Sequence, residues 1–217
     1  MTKRSFEQWV DGIFNHPVDE PAWHFAEDAD HCIEDDLTNV EYLTRLFLEC
    51  DRVLAPFDNA QADQGLNFIA FSVCSRHAYT VTRGKADWSK RRACINAIYD
   101  LYAKCFAARC TPGLSMRDVD KIDNPLNCIC YMWWDIFPIQ YDIDNAPTEV
   151  VLECIKVMER CLTLTHPACL EGTLHGLGHL RDSYPSQIES MTTEFLRRRT
   201  DLRPELADFA SQIARNI

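Results

Sequence analysis

The sequence predicts an all-α protein, and three observations carry that prediction. Apolar residues recur at three- and four-residue intervals along most of the 217 residues. No stretch keeps the strict alternation of a half-buried strand over strand length. The ten prolines fall mostly between the periodic segments, and the few glycines cluster near 172–178.

Each element has a local reason. Ser5 suits the N-cap of a short helix to Phe14, and "NHPVDEP" breaks it. A second short helix is expected over Ala22 to Ala29. Thr38 to Leu54 carries Val40, Leu43, Leu46, Phe47 and Val53 at helical spacing, ended by Pro56. Asn59 to about Thr80 places Leu66, Ile69, Ala70, Val73 and Cys74 on one side. Asp87 caps a long helix to about Arg109, with Cys94, Ile95, Ile98, Leu101, Tyr102 and Cys105 in register. "TPGLSMRDVDKIDNP" and "PIQYDIDNAP" read as connections on either side of Leu126 to Phe137, a helix apolar nearly all round and therefore interior. Thr148 to Leu164 is amphipathic with Thr148 as N-cap. Pro167 fits the first turn of a helix running to about Asp182. Ser186 to Arg199 and Pro204 to about Arg215 complete the chain.

From Thr38 onward the helices pair as 38–54 with 59–80, 87–109 with 126–137, 148–164 with 168–182, and 186–199 with 204–215. The pair spacing approaches that of HEAT-type units. The expected architecture is one domain, 1–217: a HEAT-like α-solenoid of about four helix pairs (38–217) behind an acidic N-terminal cap (1–37). An irregular helical bundle is the competing arrangement. Solenoids build extended concave surfaces that bind other macromolecules.

Composition narrows the function classes. No apolar run approaches the roughly 18 residues of a membrane span, and the N-terminus lacks a hydrophobic signal core, so a cytoplasmic protein is expected. Eleven cysteines without any C-x-x-C pair, most within apolar helical patterns, read as buried thiols rather than disulfides or zinc ribbons. The net charge of −11 is concentrated. Between Arg4 and Arg45 there is no lysine or arginine but there are eleven acids, and the remaining 22 acids balance the 22 Lys and Arg. Such a field repels nucleic acid and attracts basic partners, although a merely solvating face has the same composition.

One segment carries candidate chemistry. "ACLEGTLHGLGHL" (Ala168 to Leu180) sets His175 and His179 four residues apart among three glycines. At about 100° per residue, Leu170, Leu174 and Leu177 share one face. Glu171, His175, His179 and Asp182 form a polar stripe beside it. The glycines suit close approach of a neighbouring helix, with the imidazoles bonded to backbone or to carboxylates of the next pair. Packing is the first reading; a partner contact is the second, and a metal site of Glu171, His175 and His179 the third. Gly176 occupies the slot of the glutamate in H-E-x-x-H, so a hydrolytic site needs its base from elsewhere. There is no G-x-S-x-G, no G-K-[ST] and no phosphate loop after a strand, and "EDADHCIEDD" lacks EF-hand spacing. No cofactor is expected. "CYMWWDIFP" concentrates aromatics beside Asp135 and reads either as buried aromatic core or as an interface hot spot using Trp133 or Trp134.

Together "CYMWWDIFP", "ACLEGTLHGLGHL" and "LRPELADFA", with the opening "FEQWVDGIFNHPVDEPAWHF", resemble a group of bacterial HEAT-like helical proteins. Leu170, Gly172 and Thr173 depart from a more polar, alanine-rich version of that pattern. The resemblance implies an immunity protein that neutralises a secreted bacterial toxin by occluding its active site, with no enzymatic activity of its own. The partner is then a basic toxin, neither nucleic acid nor membrane. The expected contacts are Glu27, Asp28, Asp30, Glu34, Asp35 and Asp36 of the acidic segment, with Trp134, Asp135, His175, His179 and Asp182. The rival expectations are a metal-dependent enzyme using Glu171, His175 and His179, and a general HEAT-like scaffold.

Overall fold

The computed structural model describes residues 3–71, 73–118, 122–139 and 147–215, and all regular structure among them is helical. The middle of "TPGLSMRDVDKIDNP" (119–121) and most of "PIQYDIDNAP" (140–146) lie outside the described residues. No helix is long and apolar enough to cross a membrane among the described residues.

α1 (Phe6–Phe14) starts where its cap predicts. Ser5 Oγ accepts the Gln8 N–H at 3.2 Å and Gln8 Oε1 accepts the Ser5 N–H at 2.9 Å, a reciprocal capping box. The expected helix over Ala22–Ala29 is only a 3-10 turn, Trp23–Phe25. α2 (Asp36–Leu48) is capped by Asp35, and the one-turn α3 (Cys50–Val53) follows it. The expected helix over Asn59–Thr80 is two: α4 (Asn59–Ala70) and α5 (His77–Arg83). The break has a side-chain cause. Phe71 leaves the helix in an extended conformation, and the Ser75 hydroxyl donates to the Phe68 carbonyl. Local hydroxyl–backbone bonds of this kind compete with the helical ladder. α6 (Trp88–Asp100) passes into a π-helical turn, Leu101–Phe106, before α7 (Ala107–Arg109). α8 (Pro125–Ile136), α9 (Thr148–Cys161), α10 (Pro167–Leu180), α11 (Pro185–Arg198) and α12 (Pro204–Arg215) follow the expected boundaries within a few residues. Three of these five carry proline in the first turn and α12 begins on one.

The helices pack in two rows. In one, α2 lies on α6 and α6 on α9; in the other, α4 lies on α8, α8 on α10 and α10 on α12, while α11 packs on α12. Neighbours within a row run parallel. Lys90 of α6 pairs with Glu41 near the start of α2, and Lys104 reaches the Leu48 carbonyl at its end. Arg92 bonds Glu153 early in α9, and Arg160 at its end covers the Tyr99 ring. α1 packs against α4 at the N-terminal end. The core is continuous through both rows, with Trp9, Trp133, Trp134 and Tyr102 among its largest fully buried side chains. Ten of the eleven cysteines are buried and all are free thiols, as their apolar settings predict; Cys128 is exposed.

Candidate functional site

The close approach of α8 to α10 builds the site. A Cβ on Gly172 would stand 2.3 Å from the Cys130 carbonyl oxygen, and one on Gly176 2.4 Å from the Trp134 Cβ. These two glycines therefore have the packing reason that their cost in a helix demands. Gly178 is different: a Cβ there would make only ordinary contact with Ile213, at 3.7 Å. Because the two helices run parallel with Gly172 at Cys130 and Gly176 at Trp134, Tyr131 and Asp135 come level with His175 and His179. Each pair has i, i+4 spacing, so each lies along one face of its own helix.

The result is a compact polar cluster at the edge of the α8–α10 seam. His179 Nε2 lies 2.7 Å from His175 Nε2 and 3.3 Å from Asp135 Oδ1. The His175 ring stacks on Tyr131 with centroids 4.0 Å apart. Asp135, His175 and His179 each offer a ligand atom, and these atoms lie within 4.8 Å of one another. His175 and Asp135 are half-buried; His179 is exposed. Burial and the neighbouring His179 push the His175 pKa down to about 4, against the Asp135 carboxylate and the Tyr131 backbone carbonyl. His175 is thus a neutral imidazole at neutral pH, able to accept a hydrogen bond or ligate a cation.

Glu171 does not join this cluster, which corrects the expected Glu171–His175–His179 set. Its side chain is only 3% exposed. It accepts the Ser115 N–H at 2.6 Å and the Met116 N–H at 3.3 Å. Burial raises its pKa, and these two N–H donors oppose the rise. The carboxylate is committed to holding the loop before α8. Its place beside the histidines is taken by Asp135, from the preceding helix pair rather than the next one. Asp182 is exposed beyond the end of α10. Trp134 is fully buried, with its ring stacked on Tyr102 at 6.0 Å, so its place is the core and not a partner-facing surface.

The acidic segment divides into structural and displayed carboxylates. Arg4 pairs with Asp30 and, at 3.1 Å, with Glu34. Asp30 also accepts the Cys32 N–H at 2.9 Å, and that bond together with Arg4 lowers its pKa. Asp35 caps α2 through the Thr38 hydroxyl and N–H, which hold its carboxyl below the usual range. Asp36 accepts the Lys85 N–H at 2.6 Å. Glu27 and Asp28 are exposed beside the 3-10 turn. Composition does not distinguish these roles, because a capping carboxylate and a displayed one look alike in sequence.

The segment is anchored by a buried polar network that sequence reasoning did not single out. His77 Nδ1 bonds Asn39 Oδ1 at 2.6 Å, and its Nε2 bonds the His31 carbonyl at 3.0 Å. Asn39 Nδ2 donates to Thr80 Oγ1 at 2.7 Å. His24, His31 and His77 all contact the Phe68 ring. No family model matches this chain, and neither the comparison with curated proteins nor that with solved structures finds a match.

Proposed function

We propose that the chain is a HEAT-like α-solenoid of four helix pairs that acts as a cytoplasmic binding module, an immunity protein that occludes the active site of a basic bacterial toxin through its acidic cap. The two rows of parallel helices support the solenoid reading, since helix pairs stacked with like on like are how such arrays bury a continuous core.

One observation carries the partner-binding reading. The acidic segment presents apolar side chains among its charges. Phe25 is 62% exposed, and Val18, Ile33 and Leu37 are exposed in the same stretch. Nine of the eleven acids between Arg4 and Arg45 are exposed; Glu34 and Asp36 are half-buried. A solvating face needs the charges but not the exposed aromatic. A protein interface uses both: an aromatic anchor for affinity and a charged surround for steering and selectivity. A toxin acting on a polyanionic substrate carries a basic cleft, and this surface complements it.

The test is protection of cells that express a basic toxin encoded beside this gene. The wild-type chain should restore growth. The variant Phe25→Ala/Glu27→Lys/Asp28→Lys, which leaves the Arg4 pairs and the α2 cap intact, should lose that protection while keeping its helical circular dichroism. In stopped flow its association should be slower and less dependent on salt. Full protection by the variant overturns the role of the cap. Failure of the wild-type chain to protect overturns the immunity reading.

A further inference from the structure

The geometry points to a binding site for one divalent d-block ion of the zinc class at Asp135, His175 and His179. Three features converge on it. First, the two imidazole Nε2 atoms face one another at 2.7 Å, and Asp135 Oδ1 stands 3.3 Å from the nearer one. Two histidines at i, i+4 with a carboxylate from a second helix form a mixed nitrogen–oxygen set suited to Zn²⁺ and its neighbours. Ca²⁺ and Mg²⁺ prefer all-oxygen sites.

Second, the two helices and His175 are held in place before any ion arrives. Gly172 and Gly176 fix the register of α8 on α10, and His175 is seated on Tyr131. The His175 Nδ1 is buried beside the Tyr131 backbone carbonyl, which leaves Nε2, the nitrogen that faces His179, to take a ligand. Third, the remaining adjustment is small. Ligand bonds of about 2.0–2.2 Å place an ion between atoms that already lie within 4.8 Å of one another. The His179 side chain, 41% exposed, is free to turn so that its nitrogen backs away from that of His175. Three protein ligands leave a position toward solvent for water or for a donor group from another molecule. This site stands independently of the toxin-binding reading, since it involves none of the acidic cap.

The experiment uses the full chain, freed of metal with a chelator and kept reduced. Zn²⁺ is added in competition with a chromogenic chelator, and Co²⁺ is added separately as a spectroscopic probe. One equivalent of Zn²⁺ should bind. His179→Ala and Asp135→Asn should each weaken binding by more than about tenfold, the scale on which even outer-shell partners of a metal site act. Asp182→Asn, outside the cluster, should leave binding unchanged. The Co²⁺ complex should show d–d bands without a thiolate charge-transfer band, which separates this site from any of the eleven cysteines. No Zn²⁺ uptake, uptake unaffected by both His179→Ala and Asp135→Asn, or a thiolate band would each overturn the assignment. Both substituted side chains retain some exposure, so these variants should fold, and circular dichroism checks that they do.

Discussion

The α8–α10 seam and the N-terminal cap solve opposite problems. At the seam, two helices touch through glycine and backbone, and the polar cluster rides at the edge of a close-packed contact. In the cap, residues 15–35 contain a single 3-10 turn, and the segment is held by ion pairs, an Asx-type bond and a buried imidazole–amide network. The seam fixes its functional groups by steric fit. The cap leaves many of its charges displayed and is tied down by a few directional bonds. A dense interior tolerates almost no added volume, whereas a hydrogen-bonded strap is sensitive to protonation and to the loss of single acceptors. Different perturbations should therefore damage the two regions.

The largest effect is expected at the seam. Gly172→Ala pushes a methyl group against the Cys130 carbonyl, which is helix backbone and cannot turn aside. It should destabilise the protein by about 3 kcal/mol, the upper end of typical overpacking costs, despite alanine's better helix propensity. Urea unfolding measures it. A neutral result would mean that α8 and α10 are not in the contact described.

Acid should loosen the cap next. Burial depresses the His77 pKa to about 4 from its ordinary 6.5. In the unfolded chain the ring takes a proton near its ordinary value, while the folded protein resists until about 4. Stability from this residue is therefore full above about pH 6.5, falls as pH drops through the interval, and levels off below about 4. The loss is smaller than burial alone would cause, because both ring nitrogens face oxygen acceptors, Asn39 Oδ1 and the His31 carbonyl, and a ring can donate to both only when it is protonated. NMR titration of the His77 ring should show it neutral well below pH 6. A midpoint near 6.5 would break the picture of a buried anchor. His175, also depressed to about 4, adds to the same acid limb from the seam.

Within the cap, Asp35→Ala removes the α2 N-cap and should cost about 1 kcal/mol, whereas Asp28→Ala at the surface should stay within about 0.5 kcal/mol of wild type. Equal costs for the two would erase the division between structural and displayed carboxylates. The smallest change is a gain. Gly178→Ala meets only ordinary contact with Ile213 and should raise stability by up to about 1 kcal/mol through helix propensity. Its opposite sign to Gly172→Ala sharpens the claim that two of the three glycines make the seam.

Local physics made much of this molecule legible in sequence. Apolar periodicity and caps are properties of neighbouring residues, so most helices, the buried cysteines and the segregated charge could be read from the chain. The i, i+4 histidines were visible for the same reason. Their third partner was not. Asp135 lies 40 residues before His175, and only the parallel stacking of α8 on α10 brings it into line. A helical wheel placed Glu171 in the stripe, but the wheel carries no knowledge of the loop whose N–H groups at Ser115 and Met116 claim that carboxylate. The break after Ala70 escaped detection because no proline or glycine marks it; the Ser75 hydroxyl and the seating of His77 decide it. Sequence by itself determined most of the helical segments and where the charge lies. The tertiary structure alone decided which side chains meet, because register between helices is set by packing contacts between residues far apart in the chain.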